Sequence, residues 1–431
     1  MARAPADRFP PQIRYLAWNE AAERFSYYGM TSILALHMAR NLGIPENESI
    51  AYFQVFTFAV YFMPIAGAWI ADRFWGRYRT ILWLSFGYVA GHAALAVWES
   101  GTGLVVGLGL VAVGAGGIKP CASAFAGDQI PARDDRRLAR LYNLWYWMIN
   151  LGSTAGSLLV PLLLDRVGPR VAFGVPGLAM AAALLVFWIG RRAYRHDPPA
   201  RAMPPPAPGA EEEPPAAGTI LRILAVFAPV SAFWALFFQY GSAWTLQADK
   251  MRRDVLGFEI AAGQVGTLDA LLVLTLVPLF ATLLYPGLER RGVRVTALRK
   301  MSSGMFVTVF SFVAAALVER ELLAGNRLHV AWQIPQYLFL AVGEVLVSVT
   351  ALEFAYSQAP RRMKSLVMGL WFVTIASGSL LTAAVAWLNR FQGVAYYAFF
   401  AGLMLAAAVA FALVAWWYPA APPERRAAEP A

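Results

Sequence analysis

Glu20, Glu23, Arg24, Tyr27 and Tyr28 recur at i, i+3, i+4, i+7 and i+8, so on a helix all five share one face. That face sets two carboxylates beside a guanidinium that never deprotonates. The group can work as a proton switch. Paired with the arginine the carboxylates stay ionised, and when the arginine is engaged elsewhere they take up protons. The flanking residues are apolar over about 14–38, enough to cross a bilayer. A polar stripe two turns long cannot face lipid there, so it must line a cavity or a tight interface. Lys119, Asp269 and Glu344 also fall well inside apolar stretches, and Glu353 lies near the end of one. A charge at the bilayer centre costs several kcal/mol, which makes the interior ones candidates for function. The plain alternative for each is an interhelical ion pair or a side chain reaching the surface from a helix end, and for Glu353 that alternative is preferred.

Twelve apolar stretches must position these residues, since a helix needs roughly 20 residues to span about 30 Å of hydrocarbon. They run at about 14–38, 50–71, 79–98, 102–123, 141–164 and 171–190, then 221–245, 262–286, 298–318, 331–355, 366–388 and 395–418. Barrel strands would span in about 10 residues and alternate in polarity, so the expected fold is all-α and integral to the membrane. Composition agrees: 59% of the 431 residues are hydrophobic, 14% are charged, and the mean hydropathy is +0.51. A soluble domain carries about 25% charged residues. The lone Cys121 excludes an intramolecular disulfide framework. An even number of spans puts both termini on one side. Of the 36 lysines and arginines, 25 fall on that side, nine fall opposite, and two, Arg24 and Lys119, fall inside spans. The positive-inside rule therefore predicts cytoplasmic termini, and the net charge of +10 reports topology rather than nucleic-acid binding. The polar stretch through Arg14 is not followed by a short apolar core with a small-residue cleavage site, so the first span is expected to be retained. Arginine far outnumbers lysine, which points to a GC-rich, bacterial source and hence to the inner membrane.

Residues 191–219 are dense in proline and mixed charge, which predicts a semi-extended cytoplasmic linker. It divides the chain into a six-helix bundle over 1–190, a second over 220–420, and a tail over 421–431. A faint repeat supports the division: Asp72-Arg73-Phe74-Trp75-Gly76-Arg77 after the second span matches Glu289-Arg290-Arg291-Gly292-Val293-Arg294 after the eighth. Two six-helix halves around a midplane site is a common architecture of secondary transporters. No phosphate-binding loop is present, so ATP hydrolysis is not expected. Gly107, Gly109, Gly114, Gly116 and Gly117 lie in an apolar span without a flanking strand and read as helix packing. The four histidines are scattered without ligand spacing, so neither a metal nor a cofactor is expected.

Glu20-Ala-Ala-Glu23-Arg24-Phe25-Ser-Tyr27-Tyr28-Gly29 resembles the ExxERFxYYG motif of the proton-dependent oligopeptide transporters, a branch of the major facilitator superfamily. Pro64 through Arg77 resembles the loop between the family's second and third helices. Gly116-Gly-Ile-Lys119-Pro120 through Phe125-Ala-Gly127-Asp128-Gln129 resembles its fourth helix, and Tyr146-Trp-Met-Ile-Asn150-Leu-Gly152-Ser153 its fifth. Phe233-Trp234 and Trp244-Thr-Leu-Gln247 resemble the seventh. Trp332-Gln-Ile-Pro335, Gly343-Glu344 and Leu352-Glu353 through Pro360 resemble the tenth. The wording is nearest the animal peptide-transporter branch. The resemblance implies a major facilitator fold and proton-coupled import of di- and tripeptides by alternating access, with no catalytic residues. It implies that Arg24 and Lys119 hold the peptide carboxylate, that Glu344 with Asn150 holds the amine, and that Tyr28, Tyr61, Trp234 and Trp371 supply hydroxyls and apolar walls. Proton coupling falls to Glu20, Glu23, Arg24 and Glu344, and gating to Asp72, Arg73 and Arg222. A clamp with two charged ends measures cargo length, since an extended peptide grows by about 3.3–3.6 Å per residue.

Four residues depart from the pattern, the linker carries no helix pair of the kind inserted in bacterial members, and no extracellular domain sits between spans nine and ten. Phe238 replaces an acid of the seventh helix, and Ala281 an acid of the eighth, which leaves Arg222 without that mate. Asp269 stands where the family has an asparagine that contacts the amine, and Gln54 where animal members have a histidine. Asp269 is therefore expected to alter amine affinity or proton count, or to stand in for a lost acid. The protein is expected to act as a monomer. The nearest rival is a related transporter of nitrate, a modified amino acid or a peptide-like drug. More distant rivals are a membrane enzyme, which would want a nucleophile or metal beside the acids, and a sensor that has kept a transporter fold.

Overall fold

The computed structural model describes residues 9–131, 134–196, 217–358 and 364–417. Most of the expected linker, the tail and the side chain of Glu353 lie outside the described residues. The first six long helices are α1 (Ile13–Leu36), α2 (Glu46–Ile70), α3 (Gly76–Val97), α4 (Gly101–Asp128), α5 (Asp135–Arg166) and α6 (Pro169–Ile189). Then come α7 (Ala217–Phe237), the short α8 (Ala243–Asp249), α9 (Thr267–Leu279) and the short α10 (Tyr285–Arg290). The last four are α11 (Ala297–Leu323), α12 (Ile334–Gln358), α13 (Lys364–Leu388) and α14 (Val394–Trp417). Their starts are written locally. Ser100, Asp134 and Thr296 accept from the backbone N–H three residues on, and Gly168-Pro169 opens α6.

Among the described residues ten segments are long and apolar enough to cross a membrane, and one of them, Glu46–Val97, holds both α2 and α3. Helix α1 is not among them because Glu20, Glu23 and Arg24 interrupt it. The outward surface is apolar, with Trp147, Leu178 and Trp416 exposed, while carboxylates are buried inside. That inversion suits lipid as the solvent.

One packing pattern occurs twice. Helix α1 packs on α5 and α6, α2 on α4, and α3 on α4 and α6. In the same order α7 packs on α13 and α14, α9 on α12, and α11 on α12 and α14. The two sets meet chiefly along α2 and α13. Glycines permit the close contacts: a Cβ at Gly116 would strike Met63, one at Gly117 would strike Leu84, and one at Gly114 would strike Tyr88. Gly109 alone in that run faces open space.

Two expected spans are broken. The seventh stops at Phe237, turns tightly through Phe238–Gly241 and resumes as α8. Gly241 sits against the Phe53 ring, and Thr245 Oγ1 donates to the freed carbonyl of Tyr240. The eighth widens at Phe280–Leu284, just after Pro278, as α2 does at Ala71–Trp75. The connection after α8 adds a two-stranded ribbon, Asp254–Val255 against Phe258–Glu259. Its turn residues Leu256 and Gly257 both have positive φ, 51° and 85°, as a tight hairpin requires.

Candidate functional site

Helix α5 closes directly on the charged face of α1. A Cβ at Gly152 would overlap the Ala21 carbonyl, and one at Gly156 would strike that of Phe25. These two small residues let the backbones meet and leave Glu20 only 2% exposed and Glu23 fully buried. Arg24 Nε donates to Glu20 Oε1 at 2.7 Å and lies 2.9 Å from Glu23 Oε2. Burying such charges is tolerable only while both signs are present. One and two turns along, Tyr27 and Tyr28 pack edge to face. Lys119 of α4 sits between aromatic faces, its Nζ 4.2 Å from the Tyr27 ring centre and 4.4 Å from that of Tyr61. Ring quadrupoles hold the ammonium there.

Beyond these phenols lies a cavity of about 550 Å³, large enough for a small organic ligand. Tyr28, Tyr61, Asn150, Trp234, Asp269 and Glu344 line it, so the fold gathers six of the nine expected substrate residues on one wall system. The other three stand behind it. Arg24 stays with its carboxylates, Lys119 lies past the Tyr27 and Tyr61 rings, and Trp371 backs Trp234 edge-on at 5.6 Å. Phe238, in place of an acid, stacks on Trp234 at 5.7 Å and tilts against Tyr61 at 5.2 Å, which completes an aromatic wall. Asn150 Nδ2 donates to the Tyr146 carbonyl one turn earlier. Gln54 Nε2 donates to Ser242 Oγ, tying α2 to the break before α8.

The opposite wall is acidic. Asp269 of α9, 7% exposed, and Glu344 of α12 bring their carboxyls into hydrogen-bonding contact. Asp269 Oδ1 and Glu344 Oε2 are both buried and take no other donor among the described residues. Among the described residues neither has a lysine or arginine as a charged neighbour.

Of the expected gating residues, Asp72 and Arg73 are exposed in the turn after α2, and Arg222 is exposed on α7. None of the three has an ion-pair partner among the described residues. One ion pair in that region joins Arg77 to Asp128, and another joins Arg137 to Asp134 at the start of α5. At the other end, where α1 finishes and α2 begins, Arg40 pairs with Asp165 of α5 at 2.9 Å and with Asp249 of α8. Arg253 also reaches Asp249, at 2.7 Å, and Lys250 reaches Glu46 at 2.8 Å. These pairs fasten α1, α2 and α5 to α8. In the sequence Arg40, Lys250 and Arg253 figure only as outward charges. An acid near each span end, Glu46, Asp165 and Asp249, was the one available signal. Among the described residues no three His, Cys, Asp or Glu side chains converge as metal ligands.

Comparison with known proteins gives this arrangement a setting. The family model described as POT family (PTR2) matches residues 78–206 and 211–394. "Peptide transporter family 1" of Drosophila melanogaster is 37% identical over 364 residues, covering 74% of this chain and 49% of that protein. "Solute carrier family 15 member 2" of Mus musculus is 36% identical over 389 residues, covering 79% and 53%. The chain thus spans about half the length of these animal relatives. A crystal structure of an auto inhibited POT family peptide transporter superposes with a TM-score of 0.89 at 34% identity, over 98% of this chain and 99% of that one. These matches identify a multi-pass membrane transporter fold of the major facilitator type and a family of transporters rather than enzymes. The chain belongs to the POT family.

Proposed function

We propose that this chain is a proton-coupled symporter that imports di- and tripeptides by alternating access. The observation that carries the reading is the polarity of one cavity: Arg24 and Lys119 stand behind one wall, and Asp269 and Glu344 form the other. A peptide zwitterion has the matching charges at its two ends. Its carboxylate engages Arg24 and Lys119, and its ammonium engages Glu344 and Asp269 with Asn150. Tyr28, Tyr61, Trp234 and Trp371 make the walls for varied side chains. Drawing Arg24 towards the cargo leaves Glu20 and Glu23 without their counter-ion, and they take up protons that travel with the peptide.

Twelve spans with cytoplasmic termini follow from counting α1 as a span and from the charge bias. The halves are 1–190 and 220–420, joined by the linker 191–219 and followed by the tail 421–431. Asp72, Arg73 and Arg222 act on the cytoplasmic side, and the Arg40 cluster fastens the opposite mouth. The setting is a bacterial inner membrane, and the working unit is the monomer. Uptake of dialanine into proteoliposomes driven by an inside-negative, inside-alkaline gradient tests the reading. Uptake that ignores a protonophore would remove the coupling. Failure of dialanine to compete with a nitrate, amino-acid or drug substrate would replace the cargo.

A further inference from the structure

Two carboxyls in hydrogen-bonding contact with no cation beside them cannot both be ionised at ordinary pH, because like charges at that range repel too strongly. Asp269 and Glu344 are such a pair, held together by the packing of α9 on α12 and opening onto the cavity. The titratable groups that face them are phenols: Tyr28 from α1, Tyr61 from α2, Tyr146 from α5, Tyr240 from the break before α8, and Tyr337 from α12. None supplies a positive charge. The buried Asp269 Oδ1 and Glu344 Oε2 leave lone pairs that no other donor among the described residues satisfies.

We infer that Asp269 and Glu344 share one proton when the cavity is empty, and that the cargo's ammonium group displaces it. This rests on the peptide-transport reading and specifies how its amine end is bound. The exchange balances: a pair of charge −1 holding one proton meets R–NH3+, becomes a −2 pair hydrogen-bonded to that ammonium, and releases one H+ to cavity water. The ammonium takes over the bridging role with three N–H donors in place of one O–H. An amide at position 269 could not make this exchange, so the side chain sets both amine affinity and proton count.

The linkage has a defined sign. Binding that releases a proton weakens as pH falls, by up to about tenfold per unit. Proton uptake by Glu20 and Glu23 works the other way, strengthening binding as pH falls. Wild-type affinity for dialanine is therefore expected to peak at an intermediate pH and to decline on the acid side. Asp269→Asn should lose the acid-side decline while keeping the alkaline one. The test is dialanine binding to the purified protein by calorimetry across pH, in buffers of different ionisation heat, for wild type and Asp269→Asn. A pH profile and proton count unchanged in the variant would overturn the shared proton and leave the transport reading standing. No dialanine binding by wild type at any pH would overturn both. Wild type alone supplies a second readout if the variant does not fold. Its infrared difference spectrum on adding dialanine should show one protonated-carboxyl band disappearing at its own frequency, separate from any new band that Glu20 and Glu23 contribute, and a spectrum without that loss would overturn the inference.

Discussion

On α1, two buried carboxylates share a guanidinium at 2.7 and 2.9 Å, whereas on α9 and α12 two buried carboxyls share only each other. Both walls place two acids at membrane depth, where an uncompensated charge is costly. The α1 wall carries its own counter-ion and is complete without cargo. The α9–α12 wall is incomplete and takes a proton or a ligand to bridge its two carboxyls. One wall therefore stores charge that a ligand must pry apart, and the other waits for charge to arrive. On the proposed transport reading, a zwitterion is the cargo that would satisfy both at once.

Substitutions that remove one charge should then act in opposite directions on the two walls. Arg24→Ala strands Glu20 and Glu23 and is expected to cost about 3–5 kcal/mol of stability. Peptide uptake should fall to background and the melting temperature should drop. Glu344→Gln puts an amide N–H donor where the shared proton bridged to Asp269, so the protein should melt no lower than wild type. It deletes a charged hydrogen bond to the amine, worth about 1.5–3 kcal/mol, so KM for dialanine should rise about 10- to 100-fold. Equal loss of melting temperature in the two variants would erase the distinction between the walls. Gly152→Ala probes the α1 wall without touching a charge. The added methyl meets the Ala21 carbonyl, and overpacking of this kind costs about 1–3 kcal/mol. Melting should fall by less than for Arg24→Ala, with uptake reduced a few-fold because the carboxylates shift against Arg24.

The α1 wall was legible in the sequence and the other was only half so, for a physical reason. Glu20, Glu23 and Arg24 are neighbours on one helix, and helical periodicity converts their spacing directly into proximity. Asp269 and Glu344 are 75 residues apart, and their contact exists only because α9 packs on α12. Sequence could place each inside a span and could not place them together. The same limit hid the break at Phe238–Gly241, where Gly241 yields to the Phe53 ring of another helix. Hydropathy averages over such a turn because the run Phe233–Phe238 before it is wholly apolar and outweighs the few polar residues, Gln239 and Ser242 among them, at the break. The placement of Lys119 behind two phenols was also out of reach, since it depends on α4, α1 and α2 converging.

The smallest expected effect lies at the fastened mouth, where the ion pairs are half-exposed rather than buried. Lys250 and Glu46 meet at 2.8 Å with side chains 41% and 51% exposed, so the pair contributes only about 0.2–1 kcal/mol. It joins α2 to α8 and so acts on the balance between closed and open mouths rather than on folding. Lys250→Ala should therefore leave the melting temperature unchanged and shift that balance about 2- to 5-fold towards the open form. The shift can be read as labelling of a cysteine introduced at Asn47, in the cavity beside the pair, in a Cys121→Ser background. High salt should mimic the substitution in wild type and add little in the variant, because screening removes the same attraction. A salt response of equal size in both proteins would assign the fastening to Arg40 and Asp249 alone. Weak pairs suit this place on the alternating-access reading proposed above: a mouth that is to open once per cycle cannot be held by interactions as strong as those around Arg24.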